Sequence, residues 1–152
     1  MYDYFVAALK CPHCGTVSAA DSSTNMQTHV RDDASGIEIA VGFRFEPLEV
    51  REQDIMTSGY LPTGRVPMDG RTRLLETWRC QACGHENWAC VSLAGIELVA
   101  IESVVLDRAT LEGAQFISDG SYLLASKLSG IPARDLMEGK VNPVQVLLER
   151  LA

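Results

Sequence analysis

An α+β protein is the fold class this sequence predicts: an antiparallel β lobe over residues 1–106, and a C-terminal helical lobe over 107–152 packed on it. Three observations predict it. Two Cys-x-x-Cys-Gly segments occupy residues 11–15 and 80–84. Residues 37–45, IEIAVGFRF, alternate apolar and polar side chains with a period of two. After Asp107 the texture changes to helical spacing marked by residues that start and stop helices.

Residues 2–9 are aromatic and aliphatic and read as a strand entering the first cysteine pair, and 18–36 are polar and read as loop. In 37–45, Ile37, Ile39, Val41, Phe43 and Phe45 share one face, so a single half-buried strand is expected, stopped at Pro47. Residues 51–73 form a long connection with turn formers at Gly59, Pro62, Gly64, Pro67 and Gly70. Connections of that length often carry function. RLLETWRC and NWACVSL then flank the second cysteine pair as strands. GIELVAIESVVL is apolar on both faces, and its Val and Ile content favours a buried central strand over a short helix.

In the tail, DRATLEGAQFIS and GSYLLASKLSG have helical spacing. Leu123, Leu124 and Leu128 are expected to share an apolar stripe, with Gly130 as the C-terminal stop. Asn142 and Pro143 fit the cap and first turn of a last helix, with Val144, Leu147, Leu148 and Leu151 as its apolar face.

The cysteine pattern carries the chemistry. Two residues between thiolates let one tight turn present both sulfurs to one ion, and the following Gly15 or Gly84 tolerates the positive φ that such a turn needs. Cys11, Cys14, Cys80 and Cys83 together supply the four thiolates that suit tetrahedral Zn²⁺. These two knuckles resemble those of a zinc ribbon. The resemblance implies a structural zinc ion and a hairpin at each knuckle, but no single function, because zinc ribbons serve many roles. Residues 15–79 separate the pairs, more than in a minimal ribbon. Closing such a loop costs on the order of 4 kcal/mol, against roughly 10–16 kcal/mol from a structural zinc ion.

Other chemistries fit less well. A thioredoxin-like redox pair belongs at a helix N-terminus in a βαβ context. Catalytic zinc keeps an open position, which four cysteines would close. An iron–sulfur centre is a further alternative. His13 and His85 stand beside a complete set of thiols, and His29 stands alone and reads as a surface histidine. Cys90, among Trp88, Ala89 and Val91, reads as a packed apolar thiol. Trp78 and Trp88 bracket the second knuckle, where they either shield sulfur from water or meet a partner.

With 152 residues and 47% hydrophobic content, the chain is long enough to bury a core. Its formal net charge of −7 disfavours nucleic acid and suits a basic protein partner. No nucleophile–base motif or phosphate loop stands out, so a non-enzyme is expected. No leader or membrane span is read, and thiol pairing suits a reducing cytoplasm. The expected function is a zinc-stapled protein-binding module, an adaptor or a toxin-neutralising immunity-type protein. Its candidate partner contacts are Trp78, Trp88 and, in the long connection, Tyr60 and Arg65.

A second resemblance points elsewhere. Ala125, Leu128, Ser129, Gly130, Ile131, Gly139, Lys140, Asn142, Pro143, Leu147 and Leu148 resemble part of a phage-repressor-type helix-turn-helix. That resemblance implies a DNA-binding regulator or antitoxin with an N-terminal zinc domain. The tail carries five basic and six acidic residues, and its plainer reading is a helical cap over one sheet face.

Overall fold

A computed structural model describes residues 2–28, 30, 36–45 and 59–152. His29, Pro47 and residues 51–58 of the long connection lie outside the described residues. The strands are β1 (Asp3–Phe5), β2 (Gln27–Thr28), β3 (Glu38–Ile39), β4 (Tyr60–Pro62), β5 (Arg71–Arg79), β6 (Glu86–Ala94), β7 (Glu97–Val104) and β8 (Phe116–Ser118). The α-helices are α1 (Arg108–Glu112), α2 (Ser121–Ser129), α3 (Ala133–Met137) and α4 (Pro143–Arg150). None of the described helices is long and apolar enough to cross a membrane.

The strands form two sheets. The smaller has the order β2-β1-β3 and the larger β4-β8-β5-β6-β7. The sequence led us to expect an antiparallel lobe, but neither sheet is purely antiparallel: β1 pairs parallel with β3, and β5 pairs parallel with β8. The long antiparallel β5–β6 hairpin is the centre of the larger sheet, running in register from Arg71↔Ala94 to Arg79↔Glu86.

Alternation along this hairpin sorts the core onto two faces. Leu74, Trp78, Ala89, Val91 and Leu93 join Phe5, Leu9, Met26, Ile39 and Phe45 in one apolar cluster, on the side of the small sheet. Leu75 and Cys90 face the other way and pack with Leu111, Ala125, Leu136, Val144 and Leu147 from the helices. The helices thus cover one face of the larger sheet.

Several expectations require correction. The 37–45 stretch is not one strand. Phe43 N–H donates to Ala40 O at 3.0 Å, and Gly42 has φ 96°, so the chain turns there. Ile39 and Phe45 are buried on either side of the turn, while Val41 is exposed at its tip. Both halves satisfy the apolar rhythm, but only a glycine allowed them to change direction.

The segment FIS, read as helical, is β8, lying between β4 and β5. A boundary at 106/107 therefore separates a strand from its own sheet. β7 is an edge strand rather than a central one, and residues 42–45 cover its first part through Gly42 N–H to Leu98 O and Leu98 N–H to Phe43 O.

The leucine stripe of α2 also fails. Leu123 and Leu128 are exposed, and the buried positions are Ser121 and Ala125, small side chains that allow close packing against α4. The helix ends behave as expected. Asn142 accepts from Val144 N–H at 2.9 Å with Pro143 in the first turn, and Gly130 closes α2 with φ 77°.

A polar knot sits inside the first apolar face. Tyr60 Oη–H donates to Glu76 Oε2 at 2.6 Å and lies 3.0 Å from Thr28 Oγ1, joining β4, β5 and β2. Thr77 N–H donates to Glu76 Oε1 at 3.0 Å. Burial pushes the Glu76 carboxyl up to about 7, although hydrogen bonds from Tyr60, Thr77 and Ser118 oppose the shift. The folded protein therefore holds a proton that the unfolded chain releases. Stability is expected to fall as pH rises from about 4.5 to about 7, by at most roughly 3 kcal/mol. Glu76→Gln should flatten that slope in urea unfolding at pH 5 and pH 8. An unchanged slope would assign the proton uptake to another group.

Candidate metal centre

Each cysteine pair sits in a turn of the same construction. Gly15 N–H donates to Cys11 O, and Gly84 N–H donates to Cys80 O, both at 2.8 Å. Gly15 and Gly84 have φ 80° and 74°, the left-handed conformation that the cysteine spacing led us to expect. The first turn is closed by Cys11 N–H to Thr16 O at 2.9 Å and the isolated Lys10↔Val17 bridge. The second is the tip of the β5–β6 hairpin, closed by Cys80 N–H to His85 O at 3.1 Å.

The two turns face one another. The sulfurs of Cys11, Cys14, Cys80 and Cys83 all lie within 4.8 Å of each other, and all four cysteines are free of disulfides. Cys11 Sγ is 3.8 Å from Cys83 Sγ, and Cys14 Sγ is 3.6 Å from Cys80 Sγ. A tetrahedron with metal–sulfur bonds of about 2.3 Å has edges of about 3.8 Å. The cluster therefore has the dimensions of a four-thiolate site and can hold a metal ion. Cys11 and Cys80 are buried, and Cys14 and Cys83 are exposed.

The thiols do not share charge evenly. Burial pushes Cys11 up, but N–H donors of Cys14, His13 and the Asn87 amide outweigh it and hold the thiol down at about 6. Hydrogen bonds from Thr16 lower Cys14. At Cys83 the His85 N–H works in the same direction, yet burial and the neighbouring sulfurs push the thiol up to about 12. Sulfurs this close resist ionising together, and a divalent cation among them removes that conflict.

Asn87 is the residue that sequence reading missed. It is buried on β6, opposite Trp78, and its Nδ2–H donates to Cys11 Sγ at 3.4 Å. Its Oδ1 lies 2.7 Å from His85 Nδ1, which makes that ring nitrogen the donor. A relay thus runs from His85 through Asn87 to Cys11 and fixes the sulfur from behind. Only its inward position on the strand after the second knuckle hints at this in the sequence. His13 and His85 stack across the two turns, ring centroids 4.5 Å apart and 6° from parallel. They do not enter the thiol cluster.

The candidate partner contacts scatter. Trp78 is buried, packs in one cluster with Cys11 and Cys80, and donates its Nε1–H to Trp88 O at 3.2 Å. Trp88 is half-buried on the opposite face of the sheet. Tyr60 is buried in the Glu76 knot, and Arg65 is exposed. Trp78 and Tyr60 therefore have no exposed ring to offer a partner, and the two tryptophans do not make one surface. Cys90 is buried on the helix side, away from the four clustered thiols, as its apolar neighbours led us to expect.

The fold and site define an α+β protein with a four-cysteine cluster able to hold a metal ion. Comparisons with protein-family models, curated proteins and solved structures each found no match.

Two substitutions separate the roles of these groups. Asn87→Leu should weaken metal affinity by roughly 10–100-fold in a competition titration, because it removes the donor to Cys11 while keeping the volume. Unchanged affinity would show that the relay does not tune the site. Cys90→Ala should retain the metal and lose on the order of 1 kcal/mol of stability. Loss of metal in that variant would place Cys90 in the site.

Proposed function

We propose that this chain is a non-catalytic, zinc-stapled protein-binding module of zinc-ribbon type, acting as an adaptor or a toxin-neutralising immunity-type protein. The observation that carries the reading is the donor set. Four sulfurs at tetrahedral spacing suit zinc and leave no position for a substrate or a reacting water. Such a metal ion supports structure, and the function then falls to the protein surface.

The connection between β4 and β5 supplies the contact surface. Val66 is 77% exposed and Met68 97%, beside Arg65. The base of this connection is braced. Thr63 Oγ1 donates to Ala114 O at 2.5 Å, and Asp69 pairs with Arg73 at 2.6 Å. An apolar tip held out on a braced stem meets a partner without a large ordering cost. The net charge of −7 suits a basic partner elsewhere on its surface.

Duplex binding through the tail has weaker support. The short α3 carries Asp135 next to Arg134, and Lys140 pairs with both Asp135 and Glu138. The tail's six acidic residues outnumber its five basic ones, which opposes binding to phosphates.

Native mass spectrometry of the untagged protein, purified gently from its own cells, tests the proposal. About one zinc ion per chain with a second protein attached is the expected result. Val66→Asp combined with Met68→Asp should then release that protein while metal content and thermal transition stay unchanged. Retention of the partner would move the contact off this loop. A bare chain that binds duplex DNA at low salt would replace the protein-binding reading.

A further inference from the structure

Two close sulfur contacts in the cluster run between the knuckles: Cys14 with Cys80 at 3.6 Å, and Cys11 with Cys83 at 3.8 Å. Each contact joins one exposed sulfur to one buried sulfur. An oxidant from solvent therefore meets Cys14 or Cys83 first, and the 3.6 and 3.8 Å contacts set a sulfur of the other knuckle beside each, although Cys83 also neighbours Cys80 of its own knuckle. Cys90 lies on the opposite face of the larger sheet and takes no part in the cluster.

We propose that the cluster is a peroxide-responsive switch, in which a hydroperoxide converts the thiolates to disulfides across the knuckles and the metal leaves while the tie between the two chain segments persists. The proposal rests on the zinc-thiolate reading of the site. In the first step the Cys14 thiolate attacks a peroxide oxygen. The S–O bond forms, the O–O bond breaks and hydroxide (or alkoxide) departs. The Cys80 thiolate then attacks the sulfenic sulfur, forming S–S and expelling a second hydroxide. Two sulfurs lose two electrons in all, the peroxide gains them, and the departing oxygens take protons from water. Cys83 and Cys11 repeat the sequence with a second peroxide. A disulfide offers no thiolate, so the metal loses two ligands at the first oxidation and all four at the second.

The geometry makes this different from oxidation within a Cys-x-x-Cys turn. A disulfide within one knuckle would free the metal and part the two segments. Cross-knuckle disulfides exchange a metal tie for a covalent one. The first segment then stays against the larger sheet, and only the surface next to the metal changes. A dithiol reductant with zinc restores the starting state.

The two knuckles fall on different tryptic peptides, residues 11–31 and 80–108. The test treats the zinc-loaded full chain with hydrogen peroxide, follows zinc with a chromophoric indicator, then alkylates and digests without reduction. The expected result is release of about one zinc per chain, with peptides 11–31 and 80–108 joined through Cys14–Cys80 or Cys11–Cys83. Cys90→Ser should give the same release and the same map. Disulfides confined within each peptide, sulfinic acid without a disulfide, a link through Cys90, or zinc retained at full peroxide consumption would each overturn the switch. A chain that carries no zinc before oxidation would contradict the metal reading separately, and its peptide map would still decide the pairing.

Discussion

The convergence of four sulfurs from two distant turns is the constraint on which the rest of the molecule depends, and the dependence is unequal. The β5–β6 hairpin has a continuous ladder and an apolar face on each side. The first segment is built from pieces that are marginal alone. β1, β2 and β3 span Asp3–Phe5, Gln27–Thr28 and Glu38–Ile39, and the first knuckle is flanked by an isolated bridge rather than by a strand ladder. Strands this short are not independently stable. They are held by Phe5, Leu9, Met26 and Ile39 against the larger sheet, by the Tyr60–Thr28 contact, and by Cys11 and Cys14. A metal among the sulfurs therefore stabilises the first segment far more than the hairpin it is tied to.

The polar groups buried beside these contacts fix how the layers meet. Glu76 and Tyr60 are costly to bury. Yet they place β4, β5 and β2 in one arrangement that an apolar contact would not specify. Asn87 does the same at the metal end, where its two hydrogen bonds fix both the His85 ring and the Cys11 sulfur. The face of the larger sheet toward the small sheet thus carries two directional contacts side by side, at Glu76 and at Asn87 opposite Trp78, in the half of β5 nearer the second knuckle.

What the sequence disclosed follows from how local each signal is. The knuckles were legible because spacing and a following glycine are local requirements of one turn. The β5 and β6 strands, the Asn142 cap and the Gly130 stop were legible for the same reason. The break at Gly42 was not, because Ile37 to Phe45 satisfies a period of two whether the chain runs straight or turns between two buried residues. β8 was hidden because FIS is three residues long, and its parallel neighbour Leu74–Leu75 is distant in sequence. Leu123 and Leu128 misled because hydrophobicity alone does not say which face a short helix needs for close packing; Ala125 did. Within the site, the cysteines were visible and Asn87 was not, since an amide in a strand becomes meaningful only once Cys11 lies across from it. In the connection before β5, the turn formers showed a loop, but the burial of Tyr60 did not show, because its partners Glu76 and Thr28 lie in other strands.

The central claim is that Cys11, Cys14, Cys80 and Cys83 jointly hold one structural zinc ion. X-ray absorption at the zinc edge of the purified protein tests it most directly. A single shell of four sulfur scatterers at about 2.3 Å, with no nitrogen or oxygen ligand, is the expected result. Histidine nitrogen in the shell, a sulfur count of two, or no zinc above background would contradict it.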